Sequence, residues 1–427
     1  MNSVDGSPMR RKFSLASIPT VLLIASLATL VQSYIAIKLA FLTLFLFAAV
    51  IDGAFRETIR VYPRLICFYL MVGIIGIVWA FVGLLNQETF FVGVTDALRL
   101  YIIWSATFVL LYTLLRSQSS LQLIHTGLIV AGILISLMNF VGVLDQISHS
   151  GVVPESVSEE LNQRIGINEG YIQITSRNIA SLFFLVPYLI SMQVRADSVE
   201  AKSISTKLSL VLCLILTVIS GRRALLLVVA FTPFTILLIS ALSGNLRLIK
   251  VGARRLFLGY TIALAMGIGV VAIQPKFLPE LLYVQHIQEA FSATDERTIQ
   301  KPFLVEGFER SPIIGLGFGA AVGYQRSAER PWIYELTYYQ MLLQAGLLGV
   351  AILGVLILSY GVFVTSILRT YKHGSAVPFG LIVGVISLLI GANSNPYLAS
   401  FDLLFFVGFL PYLSTFRRGF TQVVSGR

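Results

Sequence analysis

The sequence contains few charged residues, few cysteines and few histidines, and each shortage excludes a class of protein. Only 12% of the 427 residues are charged, whereas a soluble domain carries about a quarter. With a mean hydropathy of +0.84, the chain has too few polar side chains to cover a globule in water. The two cysteines lie in separate apolar segments and form no CxxC pair, so no disulfide framework or cysteine metal site is indicated. The four histidines include no HExxH motif, which argues against an intramembrane zinc protease.

Long apolar segments recur along the whole chain, and many are long enough to cross about 30 Å of hydrocarbon. They predict an all-α polytopic membrane protein, a single integral membrane domain over residues 1–427 with about twelve transmembrane helices. The predicted spans are 15–33, 36–51, 65–85, 97–115, 121–144, 178–194, 208–220, 224–243, 256–273, 336–364, 376–392 and 398–415. Only residues 31–34 separate the first two spans, so a re-entrant hairpin is an alternative there. The seventh span is short.

Lysine and arginine are distributed unevenly between the two sides of these spans. With a cytoplasmic N-terminus, cytoplasmic segments hold 19 of the 31 basic residues and a net charge of +14. The opposite side has a net charge of −3, and Asp402 within the last span adds −1. Basic residues in short loops mark the cytoplasmic side. We therefore predict a multi-pass membrane protein with both termini in the cytoplasm. The net charge of +10 reflects this topology and does not indicate a nucleic-acid partner, which requires a basic patch on one soluble face.

Two predicted external loops are long, covering residues 145–176 and 274–334. Both contain charges of mixed sign together with glycine, proline and aromatic residues, and neither is of low complexity. Loops of this length on a compact bundle are usually functional. The two loops therefore predict a site on the external face.

Two adjacent arginines contradict the general charge distribution. Ser220-Gly221-Arg222-Arg223 places them in a short external turn, where basic residues are disfavoured. They either snorkel to lipid phosphates or bind an anion. A guanidinium group matches phosphate oxygens with two parallel hydrogen bonds, so the pair favours a phosphate or pyrophosphate ligand near the outer leaflet. Four more arginines in the external loops are candidates for the same ligand: Arg164, Arg177, Arg297 and Arg310.

Acidic and aromatic residues near the external ends of spans are further candidates. A carboxylate entering a span, as Glu335 does, is expensive and by default functional. Asp402, within the last span, either contacts substrate or forms an internal hydrogen bond or a salt bridge to an arginine. Tyr338 and Tyr339 either contact substrate or belong to the interfacial aromatic belt. Residues 315–319, Gly-Leu-Gly-Phe-Gly, indicate either phosphate contact through main-chain N–H groups or a close crossing of two segments.

Four motifs occur in a fixed order on the predicted external side. The first two are Arg164-Ile165-Gly166 with Ser176-Arg177-Asn178-Ile179-Ala180, and Ser220-Gly221-Arg222-Arg223-Ala224-Leu225-Leu226. The third is Arg297 with Pro-x-x-Gly-x-Gly over residues 312–317, and the fourth is the helix 343–349 that ends Gly-Leu-x-Gly. The set, over about residues 160–350, resembles the bacterial O-antigen ligase and Wzy-type polysaccharide polymerase family.

This resemblance implies a GT-C-like helical bundle and a metal-independent inverting glycosyltransferase that uses no cofactor. The donor would be an oligosaccharide on undecaprenyl pyrophosphate, and the acceptor a sugar hydroxyl of another lipid-linked chain. The lipid bilayer, a chain-length regulator and a flippase are the expected partners. The candidate catalytic residues are Glu335, Arg222, Arg223 and Arg297. The candidate pyrophosphate- or substrate-binding residues are Arg164, Arg177, Arg310, Tyr338, Tyr339 and Asp402.

One departure from the family pattern favours a polymerase over a ligase. The ligases commonly carry His-Asn eleven residues before Gly-Leu-x-Gly, where this chain has Glu335 and Leu336. A ligase that transfers the glycan to a lipid A core is the alternative of the same class. A transporter or flippase is the alternative of another class, and it should place charged residues near the bilayer midplane. Here the ionisable residues concentrate at the external rim instead.

Overall fold

The computed structural model describes residues 15–55, 62–115, 118–168, 171–195, 198–244, 254, 296–370 and 376–418. Within these ranges the chain is predominantly helical. In chain order the elements are α1 (Ser17–Thr29), α2 (Ile35–Phe55), α3 (Pro63–Leu85), α4 (Phe91–Leu98), a π-helix (Arg99–Ile103), α5 (Trp104–Leu114), α6 (Gln118–Ser148), α7 (Glu155–Glu160), β1 (Arg164–Asn168), β2 (Tyr171–Thr175), a 3-10 helix (Arg177–Ser181), α8 (Leu182–Val194), α9 (Val199–Lys202), α10 (Ile204–Ile219), α11 (Arg223–Leu242), α12 (Glu296–Arg310), α13 (Thr337–Thr370), α14 (Val377–Gly391), α15 (Phe401–Val407) and α16 (Phe409–Leu413).

Seven helical segments of the described ranges are long and apolar enough to cross a membrane, which makes the chain a helical membrane protein. They are Ile35–Asp52, Pro63–Leu85, Phe91–Leu114, Ser120–Gln146, Arg177–Val194, Ala224–Leu242 and Thr337–Arg369. Four shorter apolar helices fall on further predicted spans: Ser17–Thr29, Ile204–Ile219, Val377–Gly391 and Phe401–Phe416. The ninth predicted span, 256–273, lies outside the described residues. Thus seven described helices have the length of a span, and the number twelve stays a prediction.

The long loops predicted on the external side contain regular structure that the sequence pattern did not indicate. In the first loop, β1 and β2 form an antiparallel hairpin in which Arg164 is opposite Thr175. The hairpin leads directly into the 3-10 helix that opens α8. The second loop contains α12, and its residues 274–295 lie outside the described ranges. The four candidate arginines of the two loops, Arg164, Arg177, Arg297 and Arg310, therefore lie in defined elements.

The most deeply buried membrane segment in the described ranges is Arg177–Val194, of which 83% is buried. α14 packs closely against it because glycines face the contact. A Cβ atom added to Gly384 would lie 2.7 Å from the ring of Phe184, and one added to Gly380 would lie 2.3 Å from Met192. Small residues four positions apart allow membrane helices to approach in this way. Arg177 lies at one end of this central segment, which is its predicted external end.

Candidate functional site

α13 is interrupted on its predicted external side, and a loop segment packs into the break. Gly346 has a φ of +62° inside this helix, and the segment 312–319 fills the gap. Main-chain hydrogen bonds join the two: Leu347 N–H to the Pro312 carbonyl at 2.9 Å, Leu348 N–H to Ile313 at 3.0 Å, and Leu316 N–H to Leu343 at 2.8 Å. Main-chain groups released by a helix break need such partners inside a membrane protein. The loop therefore holds the C-terminal end of α12 against the start of α13.

The alternating glycines of this segment serve a close crossing. Gly315, Gly317 and Gly319 have φ values of +80°, +87° and +85°, which side chains rarely adopt. A Cβ atom on Gly317 would lie 2.1 Å from the main-chain nitrogen of Gly83 in α3. The N–H groups of residues 315–318 donate to main-chain carbonyls, so a phosphate does not find them unpaired. Of the two interpretations of this motif, the structure supports the crossing.

Glu335 lies just before α13, between two arginines. Its Oε2 accepts from Nε of Arg297 at 3.0 Å, and its Oε1 lies 3.0 Å from Nη2 of Arg326. The carboxylate side chain is only 14% exposed. Its main-chain N–H donates to Oε1 of the fully buried Gln300 at 3.0 Å. Arg297 and Gln300 are three positions apart on one face of α12, so this helix holds both the side chain and the main chain of Glu335.

Arg326 extends the group by a second carboxylate. Its Nε lies 3.2 Å from Oε1 of Glu296, at the first turn of α12. The same oxygen accepts from the hydroxyl of Tyr324 at 3.2 Å. Arginine and glutamate thus alternate along the predicted external face. A network of this kind orders its members better than an isolated surface pair.

Arg222 reaches the same region from the turn between α10 and α11. Its Nη1 donates to the hydroxyl of Tyr397 at 3.1 Å, and its Nη2 donates to the carbonyl of Ser176 at 3.2 Å. Burial raises the pKa of Tyr397 above its ordinary value; the positive charges of Arg222 and Arg297 oppose this shift, and the charge of Glu335 adds to it. Tyr397 therefore lies within electrostatic range of all three. We call Arg222, Arg297, Arg326, Glu335 and Tyr397 the arginine–glutamate cluster.

Arg177 and Asp402 belong to a second network nearby. Arg177 Nη1 donates to the carbonyl of Gln32 at 2.9 Å and to that of Glu160 at 3.2 Å. The Gln32 N–H in turn donates to Oδ2 of Asp402 at 2.8 Å. Asp402 also forms a buried ion pair with Lys38, whose Nζ lies 2.8 Å from each carboxylate oxygen. An internal salt bridge of Asp402 was one sequence-based alternative, and its partner is a lysine rather than an arginine.

The remaining candidates lie apart from the cluster contacts. Arg310, at the far end of α12, pairs with Glu88 at 3.1 Å and with Glu306 at 3.0 Å. It is thirteen residues from Arg297, about 20 Å along a helix. The hydroxyl of Tyr338 donates to the carbonyl of Leu389. Nζ of Lys301 lies 5.7 Å from the ring centroid of Tyr339.

Two predicted arginines are described through their main chains only. Arg164 begins β1, where the hairpin pairs it with Thr175. Arg223 is the first residue of α11. The hairpin leads to Ser176, whose carbonyl contacts Arg222. Both residues therefore occupy elements that border the cluster.

Sequence reasoning missed Arg326, Gln300, Tyr397 and Lys38. Lys38 carried a usable signal, because a lysine three residues into α2 is as unusual in a membrane segment as Asp402. Arg326 carried none, since long loops tolerate charge without topological meaning. Gln300 and Tyr397 became recognisable only through their contacts with Glu335 and Arg222.

The chemistry available at this site is that of arginines, a carboxylate and a phenol. No group of three or more metal-ligating histidine, cysteine, aspartate or glutamate side chains lies within the described ranges. No protein-family model matches the chain, and no curated protein matches it. The motif resemblance to polysaccharide polymerases therefore stays a prediction, and a function for this site has to be inferred from its geometry.

Proposed function

We propose that this protein polymerises lipid-linked polysaccharide repeat units, such as those of an O-antigen or exopolysaccharide. In this proposal it lies in the bacterial inner membrane with both termini in the cytoplasm, and the cluster faces outward. It transfers an oligosaccharide from undecaprenyl pyrophosphate to a sugar hydroxyl of another lipid-linked chain. A flippase that delivers the repeat units and a chain-length regulator are its proposed partners.

The observation that carries the proposal is that two arginines, Arg297 and Arg326, pair with one carboxylate, while a third, Arg222, binds the neighbouring Tyr397. Arg222 comes from the turn between α10 and α11, Arg297 from α12, and Arg326 from the segment that follows α12. A pyrophosphate leaving group is the ligand that suits several guanidinium groups held in one place. Donors fixed where charge develops usually supply the largest share of transition-state stabilisation. The motif order on the predicted external side supports the same activity.

The reaction at this site is a displacement at the anomeric carbon. The acceptor hydroxyl oxygen forms the new glycosidic bond as the bond from that carbon to the pyrophosphate oxygen breaks, with inversion. Undecaprenyl pyrophosphate leaves with the electron pair of the broken bond, and Arg222, Arg297 and Arg326 stabilise its charge. The proton of the acceptor hydroxyl goes to a carboxylate oxygen of Glu335.

The contacts of Glu335 imply an order of events. Before the donor binds, the carboxylate is the partner of Arg297 and Arg326, 3.0 Å from each. The donor pyrophosphate carries more charge than a carboxylate and competes for both arginines. Its binding would release Glu335 toward the acceptor hydroxyl. Glu335 would thus pair with Arg297 and Arg326 before the donor binds, and would then accept the proton of the acceptor hydroxyl.

The first experiment compares Glu335→Gln with Glu306→Gln in a polymerisation assay on purified lipid-linked repeat units. Glu306 is an exposed carboxylate of α12 that pairs with Arg310 and serves as the matched control. We expect Glu335→Gln to lower kcat about 10²- to 10⁴-fold, the range for general acid–base catalysis. Because the amide competes less with the donor, KM for the donor should fall or stay unchanged. Full activity of Glu335→Gln with unchanged stability would remove it as the base.

The second experiment removes the arginines one at a time. Arg222→Ala, Arg223→Ala, Arg297→Ala and Arg326→Ala are compared with Arg310→Ala, which lies outside the cluster contacts. Losing a hydrogen bond to a charged group should lower the rate about 10- to 150-fold, and lysine should restore little at a bidentate site. Near-normal polymer from the cluster variants would refute the leaving-group role. Glycan found only on a lipid A core acceptor would indicate a ligase, and movement of intact lipid across the membrane would indicate a flippase.

A further inference from the structure

A cavity of about 380 Å³ lies beside the arginine–glutamate cluster and takes no part in it. Its walls come from α3, from the π-helix with α5, from α13 and from α15. The lining includes Tyr69, Trp104, Phe108, Leu353 and Leu356. Such a mostly apolar lining suits a hydrocarbon ligand.

The cavity extends along α13 on both sides of its break. Gln340, before Gly346, and Ile357, after it, both line the cavity. The π-helix Arg99–Ile103 forms part of one wall. Segments of this kind are rare and frequently occur at functional sites. The shape fits an extended chain better than a compact solute.

Charged side chains occur at one end of this cavity only. Arg99, Asp96 and Arg330 line that end, at the predicted external side. The guanidinium group of Arg99 is 65% exposed and lies 3.9 Å from the carboxylate of Asp96, which makes a weak surface pair. Arg330 is exposed and forms no ion pair with the described residues. The two positive charges of Arg99 and Arg330 exceed the single negative charge of Asp96. This net positive charge favours a ligand with an anionic head group at this end and an apolar chain in the rest of the cavity.

The cavity and the cluster share a thin wall. Thr337 lines the cavity, its N–H donates to the carbonyl of Glu335 at 2.9 Å, and its hydroxyl donates to the carbonyl of Asn395 at 2.8 Å. Pro396 and Leu398 also line the cavity, whereas Tyr397 between them contacts Arg222. Glu335 and Tyr397 are thus each within two residues of the cavity lining, so the cavity and the cluster adjoin.

We infer that this cavity holds the isoprenoid chain of the acceptor lipid, with its phosphate at Arg99 and Arg330. The inference rests on the proposed polymerase function. A donor places its pyrophosphate among the arginines of the cluster, so a lipid whose phosphate is held across the wall is the second substrate. Its first sugars then extend past Thr337 toward the carboxylate of Glu335.

Photolabelling tests the binding site without any need for turnover. The purified protein in nanodiscs is irradiated with a diazirine-bearing farnesyl phosphate, and the labelled peptides are identified by mass spectrometry. Leu356→Trp fills the cavity, while Val355→Trp adds the same ring to an outward-facing position that is 64% exposed. We expect label in residues 63–115 and 337–357 that falls about tenfold in Leu356→Trp, because the ring and the chain cannot share the space. Val355→Trp should keep the wild-type labelling.

A double substitution at the rim provides a second variant that leaves the core unchanged. Arg99→Ala/Arg330→Ala should lower labelling by farnesyl phosphate about tenfold, as expected for lost charge-assisted hydrogen bonds, and leave labelling by the matching farnesyl alcohol probe unchanged. Labelling unaffected by Leu356→Trp would overturn the site. Competition by phosphatidylglycerol as strong as that by farnesyl phosphate would overturn its isoprenoid specificity.

Kinetics separate the acceptor role from the proposed function itself. The assay uses a farnesyl-linked repeat unit whose anomeric phosphonate cannot leave, so that it acts only as acceptor. Leu356→Trp should raise KM for this acceptor about tenfold and leave KM for the donor unchanged. A rise for the donor alone would overturn the acceptor assignment. Absence of polymer from wild-type protein, with the labelling pattern intact, would refute the polymerase and with it the acceptor role.

Discussion

Substitutions at the buried ion pair between Lys38 and Asp402 provide a direct test of the packing described above. Both side chains are nearly inaccessible, at 8% and 3% exposure, and Nζ lies 2.8 Å from each carboxylate oxygen. Removing one partner of a buried pair leaves an uncompensated charge, which destabilises a protein by about 3–5 kcal/mol. Lys38→Met and Asp402→Leu should each fall in this range. Asp402→Leu should be the worse of the two by about 1–3 kcal/mol, because it also leaves the Gln32 N–H without its acceptor.

The double variant Lys38→Met/Asp402→Leu distinguishes a pair from two independent residues. Replacing both charges by apolar groups of similar volume is often close to neutral, so the double variant should be no less stable than Asp402→Leu alone. The coupling free energy from the cycle should therefore be at least about 3–5 kcal/mol, the cost of one buried charge left unpaired. Equilibrium unfolding in mixed detergent–SDS micelles measures all four proteins.

An exposed pair supplies the control for this cycle. Arg310 and Glu88 are separated by 3.1 Å but are 50% and 54% exposed. Solvent screening should limit the same cycle at this pair to about 0–1 kcal/mol. Additive effects at Lys38 and Asp402, or a loss below about 1 kcal/mol in Asp402→Leu, would refute the buried-pair description.

Two further predictions concern topology and helix packing. A cysteine at Ser327, in a background without Cys67 and Cys213, should react with an impermeant maleimide in cells with a permeabilised outer membrane; reaction only after the inner membrane is broken would reverse the orientation. Gly384→Val should lower stability by about 1–3 kcal/mol through overpacking against Phe184, whereas Gly354→Val, where a Cβ meets nothing within 4 Å, should be nearly neutral in the same unfolding assay.

The sequence predicted the helical membrane class and the positions of eleven apolar helices because hydrocarbon thickness sets their length. It also directed attention to Glu335, Arg222 and Arg297, since charge is conspicuous against apolar or topologically biased surroundings. The pairing of Arg326 with Glu335 could not be predicted from the sequence. Residues 326 and 335 are joined by an irregular segment, which has no hydrophobic periodicity that would place the two side chains on one face. The hairpin β1–β2 was missed for a similar reason: five-residue strands in a polar loop carry little periodicity.

The break at Gly346 joins the two candidate substrate sites. Residues 337–345, before the break, follow Glu335 on the cluster side and contribute Thr337, Gln340 and Gln344 to the cavity. The segment 312–319 holds this half-helix in place, and a Cβ atom on Gly346 would lie 2.4 Å from the carbonyl oxygen of Ile313. Gly346→Ala would also place alanine at a φ of +62°, so both the contact and the main chain resist it. It should therefore reduce farnesyl phosphate labelling and polymer formation together, whereas Leu356→Trp should impair acceptor binding alone and Glu335→Gln only the chemical step. If Gly346→Ala impaired one activity and left the other intact, the shared support would be refuted.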